Sequence, residues 1–136
     1  MRDWDRPGHI KDYVARLNRI RRENPALQTT RNLRFHQADS PHVLFYSRMT
    51  EGRDNVVLVA VNLDPFAVHE ATLHLPLDEL GLTSDDTYEI HELLTDSRAL
   101  GRGARQTVTL DPQVSPARIY QIERWRRRER DFQYFI

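Results

Sequence analysis

Asn55-Val56-Val57-Leu58-Val59-Ala60-Val61-Asn62 is the stretch that decides the fold. Its apolar run is nearly continuous and rich in β-branched residues. It reads as a strand buried on both faces. Thr50-Glu51-Gly52-Arg53-Asp54 is a turn cluster before it, and Asp64-Pro65 ends it.

Working outward, the same period of two recurs. Upstream, Leu33 and Phe35 alternate with Arg34 and His36, and Val43-Leu44-Phe45-Tyr46 is a second apolar run. Downstream, Ala71, Leu73 and Leu75 fall on one face, with Thr72 and His74 on the other. Further short strands are expected around Tyr88–Leu93 and Thr107–Leu110. A last one is expected over Arg118–Ile122, with Tyr120 and Ile122 inward. Roughly seven short strands with turns between them argue for an antiparallel β-sandwich or barrel, not βαβ units.

The N-terminal segment has the helical period instead. Ile10, Tyr13, Val14, Leu17 and Ile20 occupy one face, with Arg16, Arg19, Arg21, Arg22 and Glu23 elsewhere. Asp5 ahead of Pro7 marks a start, and Asn24-Pro25 marks a stop. A helix over about residues 7–23 follows. One amphipathic helix before an all-β unit either packs on a sheet or offers its apolar face to something outside this chain. A face left open predicts a homo-oligomer, aggregation or docking onto the sandwich.

Composition narrows the function class. The 136 residues are 39% hydrophobic and 29% charged, which suits one soluble domain. There is no cysteine, which excludes a disulfide scaffold and a thiolate metal site. Basic and acidic residues balance at 20 each, so neither nucleic acid nor a membrane surface is an expected partner. Of the 20 basic residues, 19 are Arg, a bias that a GC-rich coding sequence explains. The first seven residues are polar and no apolar segment of signal-peptide type follows, so a cytoplasmic location is expected.

Candidate chemistry is sparse. The histidines His9, His36, His42, His69, His74 and His91 form no helical ligand pair, and no metal or cofactor is expected from their spacing. Asp64, Glu92, Asp96 and Asp111 are the carboxylates that could form a hydrolytic pair, but they read first as strand ends and turns. No G-x-S-x-G elbow and no glycine-rich phosphate loop is present; Gly101-Arg102-Gly103 reads as a hairpin or loop tip. The tail from Arg124 to Ile136 is a basic run followed by the apolar Phe132, Tyr134, Phe135 and Ile136, which call for a covering surface. Phe66, Tyr88 and Trp125 are the aromatic candidates for a sugar-stacking row.

Read as a string, residues 3–122 resemble the C-terminal end of bacterial maltose-1-phosphate maltosyltransferases of the α-amylase superfamily. Asp3-Trp4-Asp5-Arg6-Pro7 and Leu17-Asn18-Arg19-Ile20-Arg21-Arg22-Glu23-Asn24-Pro25-Ala26-Leu27 carry the resemblance best. Asn32-Leu33-Arg34-Phe35-His36, Val59 to Pro65, Glu92-Leu93-Leu94-Thr95 and Leu110-Asp111-Pro112 add to it.

The resemblance implies residues 1–27 as the last helical part of a catalytic (β/α)8 barrel absent from this chain. It implies residues 28–123 as the β-sandwich, and 124–136 as a tail with no counterpart. Such enzymes transfer maltosyl from maltose 1-phosphate to α-1,4-glucans by two carboxylate-driven displacements with retention. Their nucleophilic Asp, acid/base Glu and second Asp lie in the barrel, so no residue here inherits a catalytic role. The chain is then expected to be inert alone, with the barrel as its partner. The alternative is a stand-alone glucan-binding or protein-interaction module. Arg98-Ala99-Leu100-Gly101-Arg102-Gly103 stands where relatives carry aromatics, so no sugar contact is implied there. Arg118 stands where relatives carry His.

Overall fold

A computed structural model describes residues 7–29 and 31–124, with residues 7–11 and 13 described by backbone alone. Asp5, the side chains of Ile10 and Tyr13, and the tail with Trp125 lie outside the described residues.

Helix α1 runs over Pro7–Glu23. Asn24 leaves it with φ −122° and ψ 96°, the extended geometry a residue before proline is driven into. Pro25–Gln28 then makes one 3-10 turn. Eight strands follow: β1 (Arg34–His36), β2 (Val43–Met49), β3 (Val56–Asn62), β4 (His69–His74), β5 (Thr87–Glu92), β6 (Ser97–Arg102), β7 (Arg105–Leu110) and β8 (Ala117–Arg124). A single turn of helix, α2 (Leu77–Leu80), lies between β4 and β5.

All pairings are antiparallel. Six strands form one sheet in the order β1-β2-β3-β8-β5-β6, and β4 with β7 forms a two-stranded second sheet. The fold is therefore an antiparallel β-sandwich with one substantial helix ahead of it, as the periodicity indicates.

The core lies between the sheets. Phe45, Leu58 and Ala60 from the large sheet meet Ala71, Leu73 and Leu110 from the small one, with Tyr88 and Ile122 closing the side. Strand β4 buries Ala71 and Leu73 and turns Thr72 and His74 outward, matching its alternation. Tyr120 packs on this core and Ile122 is buried.

Strand β3 explains its own unbroken apolar run. Val56, Leu58 and Ala60 face the core between the sheets. Val57 and Val59 face the opposite way, onto Ala26, Leu27, Tyr46 and Ile119. Two faces are covered, so alternation disappears.

The structure differs from the expectation at two strands. Leu33 and Phe35 are exposed, whereas His36 turns in against Phe45. A three-residue edge strand buries too little for its apolar residues to mark the inner face. Strand β6 is an eighth strand that the sequence does not announce. Its residues from Ser97 to Leu100 are all exposed, so no buried side chain imposes a period of two. Gly101 and Arg102 belong to it, and only Gly103 sits at the loop tip.

That tip is a corner of the sandwich. Strand β6 pairs with β5 in the large sheet, and β7 pairs with β4 in the small one. Gly103 crosses between them at φ +81°, a conformation that favours glycine. Gly101 is required for space: a Cβ there would lie 2.8 Å from Tyr88 Cε2.

Candidate functional site

Each of the four carboxylates has a structural task. Glu92 is buried, and Oε1 accepts the Thr95 N–H at 3.0 Å while Oε2 accepts the Ile119 N–H at 2.9 Å. It ties the β5–β6 turn to β8, with the Arg118 guanidinium 4.0 Å away. Asp96 accepts from His91 at 2.5 Å, a bond that holds its carboxyl below the usual range. Asp111 Oδ1 accepts the Gln113 N–H at 2.9 Å, a turn bond closed two residues on. Asp64 Oδ1 accepts the Phe66 N–H at 2.9 Å.

The aromatic row does not form among the described residues. Phe66 is 86% exposed, but Tyr88 is fully buried. The Tyr88 hydroxyl donates to the Gly103 carbonyl at 2.6 Å and accepts from Gln106 Nε2 at 2.8 Å. The strand period cannot show that a Tyr points inward with its hydroxyl satisfied. Trp125 lies outside the described residues.

Two features remain as candidates. The first is the surface formed by α1, the 3-10 turn and the outward face of the large sheet. Leu17, Ile20, Leu27 and Ile119 floor an open groove there, with Arg21, Arg31 and Arg48 at its rim. Ile20 is buried, Leu17 is half-buried and Val14 is 48% exposed, so among the described residues cover of the helix face falls off from Ile20 back to Val14. The helix is pinned at that end. Asn24 Nδ2 donates to the Ile20 carbonyl at 2.9 Å, and Arg16 donates to the Leu94 carbonyl. Arg48 donates to the Thr29 carbonyl.

The second is a cluster that the sequence alone keeps apart. His42, Asp64 and His69 bring their ligand atoms within 4.8 Å of one another. His42 precedes β2, Asp64 follows β3 and His69 opens β4; the β2–β3 pairing brings His42 beside Asp64, and the short β3–β4 loop brings His69 back to it. The hydrogen bond from His69, then that from the Phe66 N–H, holds the Asp64 carboxyl below its ordinary range.

Residues 35–122, from β1 to near the end of β8, match the family model described as GLGE, C-terminal. The chain belongs to this family. The match covers the sandwich and starts within its first strand. Among curated relatives, the α-1,4-glucan:maltose-1-phosphate maltosyltransferase of Myxococcus xanthus is 46% identical over 133 residues. That alignment takes in 98% of this chain and 20% of the relative. The enzyme of the same name from Rhodospirillum rubrum is 47% identical over 121 residues, covering 89% of this chain and 18% of the relative. The chain thus spans about a fifth of the length of these relatives. Among solved structures, an Anoxybacillus α-amylase superposes with a TM-score of 0.58 at 20% identity, over 86% of this chain and 23% of the amylase. A GH27 β-L-arabinopyranosidase from Geobacillus stearothermophilus gives 0.50 at 11% identity, over 67% of this chain and 19% of that one. These likenesses establish the shared sandwich.

Proposed function

We propose that this chain acts as the non-catalytic C-terminal domain of a cytoplasmic maltosyltransferase that moves maltosyl from maltose 1-phosphate to α-1,4-glucans. In this reading α1, the 3-10 turn and the outward sheet face dock on the catalytic (β/α)8 barrel, in the same or a separate polypeptide. Residues 1–27 complete the barrel, residues 28–123 cover it, and 124–136 is an appendage.

The observation that carries the reading is the loss of cover along the helix stripe from Ile20 to Val14. Val14 and Leu17 continue the stripe that Ile20 buries, and the groove beside them has an apolar floor and basic rim. An apolar stripe exposed at Val14 asks for a second surface. The structural hydrogen bonds that each of the four carboxylates makes support it too.

The test is a split enzyme. The Myxococcus xanthus relative, shortened by its last fifth, is mixed with the 136-residue chain. Phosphate release from maltose 1-phosphate is followed with glycogen as acceptor. The expected result is no release by the chain alone, and co-elution with the shortened enzyme together with recovered activity. Release by the chain alone would overturn the non-catalytic role. Failure to co-elute, combined with retardation of the chain in a glycogen gel, would replace the reading with a stand-alone glucan-binding module.

A further inference from the structure

Two imidazoles and a carboxylate meet at the end of the sandwich where β2 begins and β3 ends. The rings of His42 and His69 stack with centroids 4.2 Å apart and planes 26° from parallel. His69 Nε2 lies 2.9 Å from Asp64 Oδ2. We propose that His42, Asp64 and His69 form a divalent transition-metal site, suited to zinc, with a further coordination position open to water.

The donor set selects the ion. Two imidazole nitrogens and one carboxylate oxygen suit zinc, copper, nickel or cobalt; calcium and magnesium prefer oxygen alone. Zinc holds such donors at about 2.0–2.2 Å, which places neighbouring donors roughly 3.3–3.5 Å apart. The three ligand atoms already lie within 4.8 Å of one another. The His69–Asp64 pair has to open by a few tenths of an ångström, and His42, which is exposed, swings in to close the set.

The frame behind the ligands is rigid. Asp64 Oδ1 takes the Phe66 N–H, and the Asp64 N–H goes to Asn62 Oδ1 at 2.8 Å. Asn62 is buried, and its Nδ2 donates to the carbonyls of Ala67 and Leu110. The His42 carbonyl accepts the Leu63 N–H at 2.7 Å, fixing that loop beside Asp64. Such outer bonds orient ligands and sharpen a site. An ion pair would need only His69 and Asp64. The stacked second imidazole adds a donor that the pair does not use.

The experiment is zinc titration of the full 136-residue chain in metal-free buffer by calorimetry, with a thermal melt of every protein used. One equivalent of zinc is expected to bind and to raise the melting temperature. His69→Ala and Asp64→Asn are each expected to weaken binding by about tenfold or more, and His74→Ala to leave it unchanged. His42→Gln changes an exposed side chain, keeps the fold and still removes a ligand, so it decides the matter if the other variants do not fold. The absence of saturable zinc binding would overturn the proposal. So would binding that His42→Gln leaves at wild-type strength.

Discussion

Asn24 and Asn55 are 31 residues apart and joined side chain to side chain, Asn55 Nδ2 donating to Asn24 Oδ1 at 2.9 Å. Both are buried. Asn55 Oδ1 also accepts the Ala26 N–H at 3.0 Å, and Asn24 Nδ2 donates to the Ile20 carbonyl. One short chain of amides thus joins the end of α1 and the 3-10 turn to the entry of β3. The Asn-Pro stop and the Asn before the central strand are therefore one device.

Asn55→Ala removes two of those bonds and leaves the Ala26 N–H and Asn24 Oδ1 buried without partners. Each orphaned group costs about 1–3 kcal/mol. The expected loss of unfolding free energy is roughly 2–4 kcal/mol, measured by urea denaturation. A loss within ~0.5 kcal/mol, typical of a surface change, would show that these amides do not hold the helix end.

Gly101→Ala places a methyl against the Tyr88 ring and 2.9 Å from Ile90 Cδ1. Tyr88 cannot retreat without breaking its bonds to Gly103 and Gln106. Overpacking of this kind costs about 1–3 kcal/mol, and the melting temperature should fall accordingly. Tyr88→Phe in the Gly101 background keeps the shape and loses only the hydroxyl bonds, about 1 kcal/mol.

Val14→Asp tests the helix stripe. Val14 is half exposed, so the isolated chain should melt within ~0.5 kcal/mol of the wild type. Co-elution with the shortened Myxococcus xanthus relative should weaken by about tenfold or more, because a charge is then buried in an apolar contact. Unchanged co-elution would place the docking surface elsewhere.

His36 gives the protein an acid-side pH dependence. Burial, opposed by Glu79 and assisted by Arg34, lowers its pKa from the ordinary 6.5. Its Nε2 is 2.6 Å from the hydroxyl of the buried Ser47. The unfolded chain therefore takes up a proton before the folded one does. Stability should be full above about pH 7, decline as pH falls from 6.5 through the lowered folded pKa, and level off below it. His36→Gln should flatten that part of the urea-midpoint profile. A wild-type profile already flat between pH 7 and about 5 would contradict this.

Tyr120 acts at the other extreme. Desolvation pushes its pKa up to about 12. Unfolded tyrosine ionises near 10, so stability should fall as pH rises from 10 towards 12, and Tyr120→Phe should reduce that fall, the remainder coming from Tyr88, which burial also pushes up. Absorbance titration of tyrosinate in the folded protein checks it: the wild type should show one more late-ionising group than the variant.

What the sequence determined by itself is local. The helix over 7–23, the central strand, the alternation of β4 and the Asp-Pro turns each follow from residues that are near neighbours, because one buried face imposes a short period, two buried faces an unbroken apolar run, and Asp-Pro a local bend. The quoted runs also sufficed to place the chain in its family, since they survive as strings. Where side chains are exposed the period vanishes, which is why β6 was illegible and why Leu33 and Phe35 were poor guides to the inner face.

Tertiary structure decided what meets across long separations. Strand order sends β6 and β7, neighbours in sequence, to different sheets through Gly103. It buries Tyr88, locks Asn24 to Asn55, and brings His42 to Asp64 and His69. No spacing rule reports such meetings, because they depend on the register of β2 against β3 and on the loops that close them. Side-chain period speaks of one face of one element; a site is made where several elements end together.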